Sequence, residues 1–385
     1  MTIRNDHRSR GRRIALIAGL AGLAVAVVAP GAYAATPNTK RVSIHSNGSQ
    51  ATGRSSEPSV SGNGRFVAFQ SEADNLVAGD GNTAWDIFVR DNGSKTTTLV
   101  SRHSNGTQGN GVSEDAAISA DGRWVAFESG ATNLVNADAN GTTEDVFLHD
   151  RKTRKTTLVS VHSNGTQGDL NSTDPSVSAN GRYVAFESNA TNLVNGDTNG
   201  SKDVFVHDRK TGKTFLVSRR PNGANGNGDS QLPSISASGR FVAFHSVASN
   251  LVKGDTNGRR DVFVHDRSTN ATQRVSLRSN GKQGNDDSEE PSISANGRWV
   301  VFWSDASNLV AKDSNGAQDV FLRDRQTKKT ILISRRGNGA SGNGESDDGR
   351  ISGDGRWVVF ESDASNLVKN DTNGTQDIFR RGPMR

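Results

Sequence analysis

Six segments of this chain share a Gly-Arg-aromatic-Val-[Ala/Val]-Phe core: Gly64 to Phe69, Gly122 to Phe127, Gly181 to Phe186, Gly239 to Phe244, Gly297 to Phe302 and Gly355 to Phe360. Successive glycines lie 58, 59, 58, 58 and 58 residues apart. A period this regular specifies a solenoid or a propeller. Each unit reads as four short strands. The first carries Val60 or its counterparts Ile118, Val177, Ile235, Ile293 and Ile351, and a tight turn such as Asn63-Gly64 follows. The second is the aromatic-Val-Ala-Phe run, whose consecutive apolar residues predict burial on both faces. A longer loop leads to a third strand such as Asp203 to Val206, and Lys210-Thr211-Gly212 returns the chain into a fourth, Thr214 to Val217. Sheets buried on both faces need neighbours on both sides, which a propeller provides.

The two ends predict how the ring closes. The last unit stops after its third strand, Asp377 to Arg380, while Arg41-Val42-Ser43-Ile44-His45 matches Leu99-Val100-Ser101-Arg102-His103 at the end of the first unit. The expected fold is all-β: a six-bladed propeller of four-stranded blades, closed by an N-terminal strand that completes the last blade. The reading places a signal peptide over 1–34, a short tail over 35–39 and the propeller over 40–383. Its blades fall at about 57–104, 115–163, 174–221, 232–279, 290–337 and 348–381, the last joined by 40–46.

The Ser-x-[Asn/Asp]-Gly-Arg-[Phe/Trp/Tyr]-Val-Ala-Phe core resembles the TolB-type (WD40-like) propeller repeat, over essentially all of residues 40–381. Units with Asn-Leu-Val-x-Gly-Asp-Thr-Asn-Gly-x-x-Asp-Val-Phe resemble a subgroup found in exported bacterial proteins. The resemblance implies a propeller and leaves the ligand open. The additional N-terminal α/β domain of TolB has no room in residues 35–39, so a role in envelope translocation is not implied.

Charge narrows the partners. The whole chain carries a formal +5, but residues 1–34 hold five arginines and one acid, leaving +1 for the remainder. That balance gives no electrostatic footprint for nucleic acid. The basic Arg12-Arg13, the apolar run Ile14 to Ala29 and Ala32-Tyr33-Ala34 fit an export signal cleaved near Ala34, predicting a secreted or extracytoplasmic protein. The apolar run is too short for a membrane span, and a monomer is expected. The chain has no cysteine, so packing and ring closure must stabilise it.

Function is expected on the face that gathers the long loops. There, Asp-x-Asn-Gly-x-x-Asp recurs as Asp197/Asn199/Asp203, Asp255/Asn257/Asp261, Asp313/Asn315/Asp319 and Asp371/Asn373/Asp377. Variants occur as Asp80/Asn82/Asp86 and Asp138/Asn140/Asp145. Oxygen ligands around a Gly turn suit Ca²⁺, yet the further ligands of an EF-hand are missing, and Asx turns account for the same residues. Both readings stay open. Acids at the entrance to strand one (Glu57, Asp115, Asp174, Glu290, Asp348, with Leu232 the exception) would ring the channel mouth and favour a cation or basic peptide, or simply cap strand starts.

The position after the second-strand Phe varies: Gln70, Glu128, Glu187, His245, Trp303, Glu361. Trp303 and His245 on this rim, with Glu128, Glu187 and Glu361, are the candidate ligand patch. His149, His207 and His265 interchange with Arg90 and Arg323, which points to surface positions. No Gly-x-Ser-x-Gly elbow and no His-Glu zinc motif occur. The leading expectation is a non-catalytic propeller binding a protein or glycan. The alternative is a carbohydrate-active hydrolase or lyase using rim carboxylates.

Overall fold

A computed structural model describes residues 39–384 except Ala137. The chain divides into Met1–Arg41 and Val42–Arg385; the second unit carries every strand, and the expected signal peptide lies outside the described residues. Blade one is β1 (Ser55–Val60), β2 (Phe66–Ser71), β3 (Asp86–Asp91) and β4 (Thr96–Leu99). Blade two is β5 (Ser113–Ile118), β6 (Trp124–Ser129), β7 (Asp145–Asp150) and β8 (Lys155–Leu158). Blade three is β9 (Ser172–Val177), β10 (Tyr183–Ser188), β11 (Asp203–Asp208) and β12 (Lys213–Leu216). Blade four is β13 (Ser230–Ile235), β14 (Phe241–Ser246), β15 (Asp261–Asp266) and β16 (Ala271–Arg274). Blade five is β17 (Ser288–Ile293), β18 (Trp299–Ser304), β19 (Asp319–Asp324) and β20 (Lys329–Leu332). Blade six is β21 (Ser346–Ile351), β22 (Val358–Ser362) and β23 (Asp377–Arg381). Every sheet is antiparallel, with its strands in sequence order. The fold is a six-bladed, all-β propeller.

The repeated core now has a physical explanation. Its Val-Ala-Phe run is buried on both faces because each sheet packs between two others. One cluster joins Ile87 and Val89 of blade one to Val125 and Phe127 of blade two, and equivalent clusters join each later pair of neighbours. Within a blade, the phenylalanines of the two central strands stack, as Phe186 and Phe205 do at 5.8 Å between centroids. The motif arginine clamps the start of the second strand to the end of the third: Arg182 Nε and Nη2 donate to Asp208 Oδ1 and Oδ2 at 2.9 and 2.8 Å. The motif aromatic is sandwiched between two guanidinium groups, Arg182 and Arg267 lying 4.8 and 4.3 Å from the Tyr183 centroid.

The motif glycine is needed twice over. Gly239 has φ +73°, and a Cβ there would stand 2.1 Å from Tyr183 Cδ2 of the preceding blade. Gly239→Ala is therefore expected to cost about 2–3 kcal/mol, from left-handed strain plus overpacking. Gly254→Ala, at φ +79° but with nothing within 4 Å, should cost only about 1 kcal/mol. Thermal unfolding of the two variants checks this; equal losses would show that the inter-blade contact is immaterial.

Ring closure is half made among the described residues. In every junction from blade one to blade six the connection bonds both neighbours. Between blades one and two, Val100 N donates to Ile87 O at 2.7 Å, and the Thr156 hydroxyl donates to Arg102 O. At the sixth junction only the second half is made. Thr97 Oγ1 donates to Ile44 O at 2.5 Å, and Thr97 N to Ser46 Oγ at 2.9 Å. Among the described residues no strand pairs with the outer edge of β23, although Ile44 bridges Gln50 as Arg102 bridges Gln108 at the first junction. Val60 is 60% exposed and Ile378 68%, where their counterparts Ile118 and Val320 are 7% and 0%.

Candidate functional site: the central channel

The first strands of all six blades line one cavity of about 780 Å³. Each of these strands contains a β-bulge, as between Glu114 and Ala117, and the bulged residue is left-handed in every blade. The φ values are 45° at Glu57, 50° at Asp115, 51° at Asp174, 49° at Leu232, 48° at Glu290 and 47° at Asp348. The acids expected at the strand entrance therefore sit within the strand, at its bulge. They line the channel wall because the extra residue re-aims the chain there.

The bulge turns its N–H towards the preceding blade, where the variable position after the second-strand Phe accepts it. Asp115 N donates to Gln70 Oε1 at 2.9 Å, Asp174 N to Glu128 Oε2 at 2.7 Å, Leu232 N to Glu187 Oε2 at 2.7 Å and Glu290 N to His245 Nδ1 at 3.4 Å. This relocates the expected ligand patch. Glu128, Glu187 and His245 are buried between blades, and Glu187 also accepts from Lys202 Nζ at 2.6 Å. Trp303 and Glu361 are half-buried. At Gln70, Glu128, Glu187 and His245 the sequence variation reflects interchangeable acceptors for one backbone N–H.

Leu232 shows that the bulge does not require an acid, yet five of the six bulged residues are acidic. Burial pushes Asp115 up to about 6. Asp174 rises to about 7, from burial and then the nearby Glu187 and Asp115, and Glu290 to about 7, from burial and then Asp348. The one cation on the wall among the described residues is Arg350, which donates to Asp348 at 2.9 Å. The channel is thus a concave site with excess negative charge.

The Asp/Asn/Asp motifs occupy the long-loop side. In each complete blade the last Asp is buried at the start of the third strand and accepts from a serine of the blade-to-blade connection, as Asp203 Oδ1 does from Ser218 Oγ at 2.5 Å. Among the described residues no three His, Cys, Asp or Glu side chains are grouped as a metal site.

The motif asparagines have the hydrogen bonds expected of Asx turns. Asn82, Asn199, Asn257, Asn315 and Asn373 make Asx turns. Their Oδ1 atoms accept from the N–H groups of Ala84, Ser201, Arg259, Ala317 and Thr375, at 3.1, 3.1, 3.3, 3.3 and 3.3 Å. Asn140 Oδ1 accepts instead from Gln167 Nε2 at 2.8 Å. The amide nitrogens act as donors. Asn82 and Asn140 Nδ2 bond Gly109 O and Gly168 O at 2.8 and 3.1 Å. Asn257 and Asn373 Nδ2 bond Asp261 and Asp377 Oδ2 at 3.0 and 2.8 Å. A carboxylate that accepts from a neighbouring amide already has the partner that a cation would supply.

The histidine expectation is corrected. His149, His207 and His265 are buried, and their Nδ1 atoms bond Thr156, Thr214 and Thr272 Oγ1. Arg90 and Arg323 replace them by making the same threonine bond through Nη1.

No family model and no curated protein matches this chain. Solved structures do. TolB from Acinetobacter baumannii is 16% identical with a TM-score of 0.42, over 74% of this chain and 54% of that one. A putative TolB from Agrobacterium tumefaciens is 14% identical with a TM-score of 0.47, over 86% and 91%. The β-propeller domain of the Trilobed protease from Pyrococcus furiosus is 10% identical with a TM-score of 0.50, over 86% and 82%. At these identities the likeness is one of fold, and the fold to which this chain is similar is the β-propeller.

Proposed function

We propose that this chain is an exported, non-catalytic binding propeller that takes a cationic segment of a partner protein into its acid-lined channel. The observation that carries the reading is the bulge: a strained backbone position common to six blades that faces one cavity and is acidic in all but one. Structural need does not explain the acids, because Leu232 occupies the same conformation. A lysine or arginine side chain entering the channel would supply the other wall carboxylates with the pairing that Asp348 has from Arg350. Of Glu128, Glu187 and Glu361, the carboxylates considered for glycoside chemistry, the first two are engaged in holding the next blade.

The test is a titration with fluorescent oligo-lysine peptide. Affinity should fall as salt rises, improve between pH 5 and pH 8 as Asp115, Asp174 and Glu290 ionise, and drop about fivefold in Asp174→Asn. Salt-independent binding of a neutral oligosaccharide, with none of the peptide, would overturn the reading.

We also propose that Val42 and Ser43 complete blade six. The half-made junction supports this, since Ile44 and Ser46 already bond blade one as Arg102 and Ser104 bond blade two. The apolar surface left on Val60, Val359 and Ile378 supports it from the other side.

A further inference from the structure

In the long-loop motifs a protein donor satisfies the two carboxylates wherever one is available. Gln108 Nε2 donates to Asp80 Oδ1 and Asp86 Oδ2 at 2.6 and 2.7 Å. Gln167 Nε2 does the same for Asp138 and Asp145, at 2.9 and 2.6 Å. In blade four Arg274 Nη1 lies 3.3 Å from Asp255 Oδ1 and 2.8 Å from Asp261 Oδ2. In blade three, Asn199 Nδ2 serves Asp203 Oδ2 at 2.7 Å, and Asn225 Nδ2 reaches Asp197 Oδ1 at 3.5 Å.

Blade five has the same carboxylates, but no donor reaches Asp313 Oδ1 or Asp319 Oδ2. The glutamine position of the connection is filled by Ser341, which forms the bridge with Arg335 that Gln108 forms with Arg102. Its hydroxyl reaches only the backbone, accepting from Ser314 N at 3.4 Å. Leu332 stands where blade four has Arg274: it pairs with Phe321 as Arg274 pairs with Phe263. The consequence is visible atom by atom. Asp313 Oδ1 and Asp319 Oδ2 are both buried without a partner, Asp319 is 0% exposed, and Asp313 is near enough for its charge to act on that carboxyl. Such atoms are costly to leave unpaired.

We infer that blade five alone holds a hard divalent cation. Its ligands are the Asp313 and Asp319 carboxylates with the Ser341 hydroxyl, water filling the remaining positions. Oxygen donors with two negative charges and a flexible loop suit Ca²⁺ before Mg²⁺, which demands a tighter octahedron. In blades one to four an amide or guanidinium already stands in its place, and in blade six Asn373 Nδ2 bonds Asp377 Oδ2. The inference is independent of the channel reading, since none of these residues lines the channel.

The experiment is calcium titration of the full chain by calorimetry and thermal unfolding, beside Ser341→Gln, which supplies the donor used in blades one and two. The natural chain should bind one ion and gain roughly 3–6 °C at saturation. Ser341→Gln should lose the calcium response and, without calcium, unfold at a higher temperature than the natural chain. Asp313→Asn, with a single carboxylate left, should bind at least about tenfold more weakly and decides the matter should Ser341→Gln fail to fold. Absence of binding, several equivalent ions, or a calcium response that survives in both variants would each overturn the assignment.

Discussion

A chain carrying Val42→Cys and Ile378→Cys is expected to form a quantitative intramolecular disulfide on mild oxidation and to unfold at a much higher temperature than its reduced form. The register follows from the complete junctions, where Val100 N bonds Ile87 O and Phe88 pairs with Leu99; Val42 and Ile378 are the corresponding residues at the sixth. The natural sequence has no cysteine, so any crosslink is between these two. Closing a loop that spans nearly the whole chain removes about 5–6 kcal/mol of unfolded-state entropy. That is a large fraction of a domain's stability. Thiol titration and non-reducing electrophoresis read the bond directly. Free thiols, or disulfide-linked dimers alone, would show that the Val42 segment does not complete blade six.

Raising the pH from 5 to 9 is expected to destabilise the natural chain, and Glu128→Gln should remove much of that loss. Burial raises Glu128 from its ordinary 4.5 to about 8, assisted by the charges of Asp115, Asp174 and Glu144 against the backbone bond from Asp174. The folded state therefore binds this proton more tightly than the unfolded chain. The stabilisation is complete below about 4.5 and is lost as pH rises through about 8, amounting to about 3–5 kcal/mol by pH 9. Glutamine keeps the acceptor for Asp174 N, as Gln70 already does for Asp115 N at the equivalent site. The clamp aspartates act in the opposite sense. Arg65, Arg123, Arg182 and Arg240 hold Asp91, Asp150, Asp208 and Asp266 below the usual carboxylate range, so their contribution is lost as pH falls below about 4. Stability should thus peak between about pH 4.5 and 6. Urea melts across pH 3–9 measure this profile, and a parallel decline of Glu128→Gln and the natural chain above pH 6 would refute the role given to Glu128.

Much of the architecture was legible because it is written six times. The Gly-Arg-aromatic-Val-Ala-Phe run announces a strand buried on both faces, and its period announces equal wedges. The acids at Glu57, Asp115, Asp174, Glu290 and Asp348 were legible as a column. Their left-handed bulge was not, because the column mixes Asp, which tolerates positive φ, with Glu and Leu, which do not signal it. The variable positions Gln70, Glu128, Glu187 and His245 resemble a specificity rim in sequence, since variation alone cannot distinguish an exposed site from a buried acceptor that tolerates any lone pair.

The blade-five cation site illustrates the same division. The trio Asp313, Asn315 and Asp319 is indistinguishable in sequence from its counterparts, and what sets it apart is Ser341, in the connection beyond the fourth strand. That residue matters only because folding brings the connection back over the loop, as the glutamine bonds of blades one and two show. By itself the sequence determined the repeat, the strand pattern and the scaffold residues, because these depend on local periodicity and on hydrogen bonds repeated in register. Tertiary structure alone decided which polar atoms find a partner. Satisfaction of a buried charge depends on what the neighbouring blade places within about 3 Å, a distance with no counterpart in sequence spacing.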